Sequence, residues 1–396
     1  MLVIESPYSG TMAPFCFRMP REVIFGTGCC GLVIEKVSEI KAQSPLFITG
    51  KSMGKNARLL TLLDAMRDKG MRPGLWDGVQ PEPPVALLRE AVEYIISGGY
   101  DCLIGFGGGS SMDFAKMAAV LAKHPAIDIA DIVGSDKIPS RGLPTIMIPT
   151  TAGSGSEVSA VAVFSFEEAG MKKGVSSPHL IADIALVDPA LTLQLPAGIT
   201  ASSGMDALVH AVESYMSLGT NAFTQDLALI SIRKINSCLA ACVKDGCNLE
   251  AREGQAYGSM LAGMAFSMSG TAGVHALAYP LGGRFHVPHG EANTALLRWV
   301  MEYNLDGCEE KFEPIAEAMG VKRPGMSVRE AAQAALQAMI NLGEEIGVKT
   351  RLRDFGIPKE ASAAMAKAAM EETRLISNNP RPLDVESVRE IYEKAW

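Results

Sequence analysis

The chain has 396 residues, of which 48% are hydrophobic and 20% charged, with a formal net charge of -8. That length exceeds the size at which one hydrophobic core usually keeps growing, so two domains are expected, and the composition carries no signature of disorder. The acidic balance, with a pI near 5.4, excludes a general attraction to nucleic acid or to an anionic membrane surface, since both need a basic face.

In chain order, MLVIESPYSGTMAPF lacks the basic start and unbroken apolar core of a secretory signal. No later apolar run is long enough to span a bilayer, so a cytoplasmic protein without a membrane partner is expected. Glu22 to Phe25, Pro45 to Thr49, Asp101 to Phe106 and Thr145 to Pro149 have strand character. Ala57 to Lys69, Val85 to Ser97 and Ser111 to Lys123 have the helical pattern between them. Such alternation is how a parallel α/β sheet reads, and it predicts a nucleotide-binding layer. After about Pro189 the strand signal gives way to helical stretches at Ala222 to Ala241, Ala251 to Met268, Ser327 to Glu345 and Val385 to Lys394. The predicted organisation is an α/β domain over 1–188 and an all-α domain over 189–396.

The eight cysteines form no CxxC pair and are expected to be free, buried thiols, so any metal would be held by oxygen and nitrogen. Two glycine clusters compete as a phosphate cradle. Gly26 to Gly31 matches GxGxxG, but no acidic residue follows at the spacing a dinucleotide fingerprint needs, and a tight turn is the preferred reading. Gly105 to Ser110 follows the apolar run DCLIGF and opens a helix, so bare glycines and a helix N-terminus meet where a pyrophosphate could rest. A third loop, Pro149 to Glu157, follows the strand TIMIP at what should be the same edge of the sheet. Asp206 and His210, one helical turn apart, could grip one ion or could be an ordinary capped Asp and a satisfied His.

The segments GGGSSMDFAK at 107–116, PTTAGSGSEVS at 149–159, GMDALVHAVE at 204–213 and HALAYPLGGRFHVPHG at 275–290, in that order, resemble the iron-containing (group III) alcohol dehydrogenase family, in its HxxxYP form of propanediol and lactaldehyde type. The resemblance covers nearly the whole chain. It implies an α/β N-terminal dinucleotide-binding domain plus an all-α C-terminal domain, the dehydroquinate synthase-like architecture, with a divalent metal in the cleft between them. It implies Asp206, His210, His275 and His289 as metal ligands. Gly107, Gly108, Gly109 and Ser110 would hold the pyrophosphate, with Ser111 and Asp113 in the same cofactor loop and Thr150, Thr151 and Ser154 beside the cofactor. Lys172 would approach the cofactor ribose and phosphate, with Lys173 as a register alternative.

One carboxylate and three imidazoles suit Fe2+ or Zn2+, and ligand softness does not separate them. Pro280, Gly282, Gly283 and Pro288 require a bend between His275 and His289, and His286 within it is either a substrate-facing residue or exposed. Tyr279 stands where many relatives carry a second histidine credited with proton relay, and a phenol titrates near pH ~10 rather than ~6.5. Gly50 stands where NAD-preferring relatives often place Asp; with Lys51 and Ser52 beside it, NADP(H) is expected at least as readily as NAD(H).

The expected activity is metal-dependent interconversion of a small primary alcohol or diol and its aldehyde by hydride transfer with NAD(P), in a homo-oligomer, a dimer or larger. The alternatives are reduction of a carboxylated or sulfonated aldehyde, for which Arg284 and Arg298 are the candidate cations, and a dehydroquinate synthase-like or polyol-phosphate reaction. A nucleotide-independent metallohydrolase leaves both cofactor loops unexplained.

Overall fold

The computed structural model describes residues 14–81, 83–166 and 171–396. The stretch read as lacking a secretory signal falls, up to residue 13, outside the described residues, as do Glu167 to Gly170 of EEAGMKKG. The N-terminal layer runs β1 (Glu22–Phe25), α1 (Val33–Glu39), β2 (Pro45–Ile48), α2 (Ala57–Asp68), β3 (Gly74–Trp76), α3 (Val85–Gly98), β4 (Cys102–Gly107), α4 (Gly109–Lys123), β5 (Gly134–Ser135), β6 (Thr145–Pro149), β7 (Val161–Phe166), β8 (Met171–Ser176) and β9 (Ile184–Val187). Six strands form one sheet in the order β1-β9-β6-β4-β2-β3, with every pairing parallel. Strands β2, β4, β6 and β9 are buried along their whole length, which is why they are continuous apolar runs rather than alternating ones. One face is covered by a cluster that includes Leu88, Phe114 and Met117, the other by one that includes Val33, Leu63 and Met66.

From β2 the chain moves outward to β3, then returns to the other side of β2 as β4, followed by β6 and β9. The direction of winding therefore reverses between β2 and β4, and ligands of open α/β sheets bind beyond the strand ends at such a point. A smaller sheet, in the order β5-β8-β7, carries the antiparallel β7–β8 pair beside the main layer.

Beyond Val187 the described residues contain no strand. The helices are α5 (Ala197–Met216), α6 (Ala222–Lys244), α7 (Leu249–Ser269), α8 (Gly273–Phe285), α9 (His289–Leu305), α10 (Glu309–Ala318), α11 (Val328–Glu345), α12 (Ser362–Ala369), α13 (Thr373–Ile376) and α14 (Val385–Ala395). None of them is long and apolar enough to cross a membrane. Helix α5 is the centre of this half: every residue from Gly204 to Met216 is buried, against α6, α7 and α9. Leu208, Val209 and Val212 are wholly enclosed, and burying each such side chain stabilises the fold by roughly 1.5–3 kcal/mol.

The bend expected between His275 and His289 is present: the chain turns at His286, whose φ of 55° ends α8, and resumes helically at His289 after Pro288, while Pro280 lies inside α8. All eight cysteines are free, but Cys16 and Cys247 are exposed rather than buried. Strands β3 and β9 and the β7–β8 pair were not read from the sequence. The GxGxxG match at Gly26 to Gly31 is the tight turn preferred above: the backbone N–H groups of Gly28 and Cys30 donate to the Asp188 carboxylate at 2.9 and 3.2 Å.

Candidate active site

The glycine run after β4 lies at the winding reversal. Gly108 is the N-cap of α4 and offers no side-chain cap, so the first N–H groups of that helix are open to an anion. The loop after β6 closes on the same point. The Thr150 N–H donates to Gly107 O at 2.9 Å, and the Thr49 hydroxyl at the end of β2 donates to Phe106 O at 2.5 Å. A Cβ on Gly109 would meet the Ser154 Cβ at 2.9 Å, and one on Gly107 would meet the Ser111 hydroxyl at 2.5 Å. Gly107 and Gly109 therefore have no room for a side chain larger than hydrogen, whereas Gly108 has ordinary clearance from Thr151.

The same β6 loop joins the two halves. A Cβ on Gly153 would strike the Ser203 carbonyl of α5 at 2.5 Å, and Gly155, at φ +59°, lies so close to α7 that its Cβ would sit 2.4 Å from the Gly263 Cα. Small residues in PTTAGSGSE are thus required twice, towards the cradle and towards the helices.

Helix α5 places Asp206 and His210 on one face, α8 adds His275 and α9 begins with His289. One ligand atom from each lies within 4.8 Å of all the others. His210 Nδ1 is 3.3 Å from Gly153 O and donates to it, and Phe266 stacks on the ring at 4.4 Å. His275 Nδ1 donates to Glu213 Oε2 at 2.6 Å, and the Ala272 and Val274 N–H groups donate to the same carboxylate. With each Nδ1 carrying the proton, each Nε2 keeps its lone pair for the cluster. Burial pushes His210 down to about 4, against the pull of Asp206, so its ring is neutral at neutral pH. Burial pushes His289 down to about 3, against the pull of Asp206 and with Lys172 nearby acting in the same direction, although 35% of its side chain is open to the cavity. Burial opposes ionisation of Asp206, but the neighbouring imidazoles and the Asn293 amide outweigh it and hold its pKa below the usual value. A carboxylate with three imidazoles and no thiolate fits Fe2+ or Zn2+.

A cavity of about 530 Å³ is lined by Gly109, Ser110, Thr151 and Ser154 of the cradle and by all four members of the cluster. Lys172 and Tyr279 also line it, as does Asp113. The Asp113 carboxylate is already engaged, accepting from the Ser156 hydroxyl and the Val163 N–H and pairing with the buried Lys116, so it ties α4 to β7 and to the loop before it. Gly50, Lys51 and Ser52 lie at the end of β2 outside this cavity, with Lys51 and Ser52 exposed. His286 is exposed at the end of α8, its N–H donating to Gly282 O, and does not reach the cavity. Nor do Arg284 and Arg298; Arg298 pairs with Glu302 and lies over the Trp299 ring. The cavity arginine is instead Arg374 on α13. Sequence reasoning missed Glu213 and Asn293, although Glu213 continues the face of α5 that carries Asp206 and His210.

The model of iron-containing alcohol dehydrogenases matches residues 20–189, and that of the C-terminal part of the Fe-containing alcohol dehydrogenase family matches 200–396. The chain belongs to the iron-containing alcohol dehydrogenase family. It is 39% identical over 94% of its length to the long-chain-alcohol dehydrogenase 1 of Geobacillus thermodenitrificans, covering 94% of that protein. It is 35% identical to the lactaldehyde reductase of Escherichia coli, over 94% of this chain and 97% of that one. A crystal structure of a 1,3-propanediol oxidoreductase superposes with a TM-score of 0.94 at 34% identity, covering 97% of this chain and all of the other. The family makes this an alcohol dehydrogenase or aldehyde reductase of α/β plus helical architecture.

Proposed function

We propose that the protein interconverts a small primary alcohol or diol and its aldehyde, with hydride passing to or from a nicotinamide dinucleotide. The observation that carries this reading is the single cavity lined both by the glycine and hydroxyl cradle and by Asp206, His210, His275 and His289. Those four residues would hold Fe2+, with Zn2+ as the alternative, and the cation supplies Lewis acidity towards the substrate oxygen. Gly107 to Ser110 would carry the pyrophosphate of the dinucleotide, which supplies the hydride acceptor. Thr150, Thr151 and Ser154 would flank it, and the buried amine of Lys172 would face its ribose. Phe266 and the enclosed end of α8 keep water from the His210 ring, which favours transfer between positioned carbons. Burial pushes the Tyr279 phenol up to about 12, so at neutral pH it donates a hydrogen bond to the substrate and does not act as a base.

Gly50, beside the exposed Lys51 and Ser52, supports acceptance of NADP(H) at least as readily as NAD(H). Eight free thiols support a cytoplasmic setting, and exposed Phe15, Phe17 and Leu218 support assembly as a homo-oligomer. A second substrate reading, a carboxylated or sulfonated short aldehyde, is favoured by Arg374, whose guanidinium lines the cavity without an ion pair or hydrogen bond among the described residues. The test is metal analysis of protein purified without air or chelator, joined to NADH and NADPH kinetics on neutral and anionic aldehydes. Metal-dependent reduction of a neutral aldehyde supports the first reading, and a marked preference for anionic ones supports the second. Turnover that needs no nicotinamide overturns both.

A further inference from the structure

Asn293 lies one turn beyond His289 on α9 and is completely buried. Its Nδ2 is 2.7 Å from Asp206 Oδ1 and 3.2 Å from the Nε2 atoms of both His275 and His289. The orientation of the amide follows from these neighbours. Turned over, its oxygen would lie 2.7 Å from a carboxylate oxygen, two acceptors with no proton between them. In the orientation observed, the Asn293 Oδ1 is buried without any partner. A fold that leaves a carbonyl unsatisfied to aim an N–H at one point requires a reason at that point.

We infer that Asn293 is a positioning residue of the metal centre: its amide holds one Asp206 oxygen in place, leaving the other for the cation, and packs beside the ligating edges of His275 and His289. The inference rests on the reading of the four residues as ligands. Three constraints then meet on the cluster from outside it: Glu213 on His275, Gly153 O on His210 and Asn293 on Asp206. Asn293 is distinguished from the other two because it touches three of the four candidate ligands at once. A merely structural asparagine would need packing volume at this position, not a donor.

Asn293→Leu keeps the volume and removes the donor, while Asn293→Ser keeps a shorter donor. The metal-stripped proteins would be titrated with Zn2+ and with Co2+ against a chromogenic chelator, and the visible spectrum of the Co2+ form recorded. Thermal unfolding of the metal-free proteins would be measured alongside. The Leu variant should bind both ions about 10- to 100-fold more weakly, with a changed Co2+ spectrum and a metal-free melting temperature no lower than that of the wild type. The Ser variant should fall between them, and it carries the test if the Leu variant does not fold. Wild-type affinity and spectrum in either folded variant overturn the inference, as does a loss of affinity matched by a loss of metal-free stability. Failure of the wild-type protein to take up one equivalent of either ion defeats the ligand reading itself.

Discussion

The proposed cofactor crevice and the candidate metal-ligand cluster share one cavity but are built from different parts of the chain. The crevice is made of backbone: Gly107 to Gly109 present N–H groups at the start of α4, and its side chains are hydroxyls and hydrogens. The cluster is made of side chains whose outward atoms are already committed, to Gly153 O, to Glu213 and to Asn293. A backbone site tolerates loss of a side chain and fails when one is added, whereas a side-chain site fails when one is removed.

The largest break of this contrast is expected from His275→Ala. It should release the metal and lower aldehyde reduction by about 10³-fold or more, while fluorescence titration still detects NAD(P)H binding. Full turnover in a demonstrably metal-free His275→Ala protein would falsify the metal-centred reading. Gly109→Ala is the converse. The added methyl meets Ser154 and should raise the Michaelis constant for the dinucleotide roughly tenfold, with metal content unchanged. Loss of metal in that variant would show the two regions to be one. Gly50→Asp sharpens the crevice alone: kcat/KM for NADPH should fall several-fold against NADH, moderated by the tight 3.0 Å approach of the new Cβ to Val79 O.

The smallest effect concerns stability. Burial raises the Glu157 carboxyl from 4.5 to about 7, so between those values the folded chain holds a proton that the unfolded chain has lost. Stability attributable to Glu157 therefore falls as pH rises from 4.5 to about 7, and is level above. Glu157→Gln removes this dependence, and urea unfolding should record a gain on the order of 2–3 kcal/mol near pH ~8 and little near pH ~5. An equal gain at both values would count against the assignment.

Much of this was legible because the chemistry coincides with local pattern. Glycine triplets after apolar runs and an Asp-His pair one turn apart are short-range signals, and the family segments ordered them along the chain. What escaped depends on how elements face each other. Strand β3 is a run of three residues, too short for periodicity to distinguish from helix or loop. Glu213 could be placed on the face of α5, but not the Ala272 and Val274 N–H groups that converge on it from α8. Arg284 and Arg298 were misjudged for the same reason: sequence separation from His275 and His289 does not reveal which side of α8 or α9 meets the cavity.

The loop after β6 lies against Gly108 and Gly109 through Thr151 and Ser154, and its Gly153 carbonyl accepts a hydrogen bond from His210 Nδ1. Occupancy of the crevice and occupancy of the cluster would therefore bear on the same few peptide units. By linkage, whatever factor NAD(P)H adds to metal affinity, the metal must add to NAD(P)H affinity, and a pair of titrations run in opposite order would give one coupling constant. Retention of the metal in a cell would then track the supply of reduced coenzyme as well as the supply of iron.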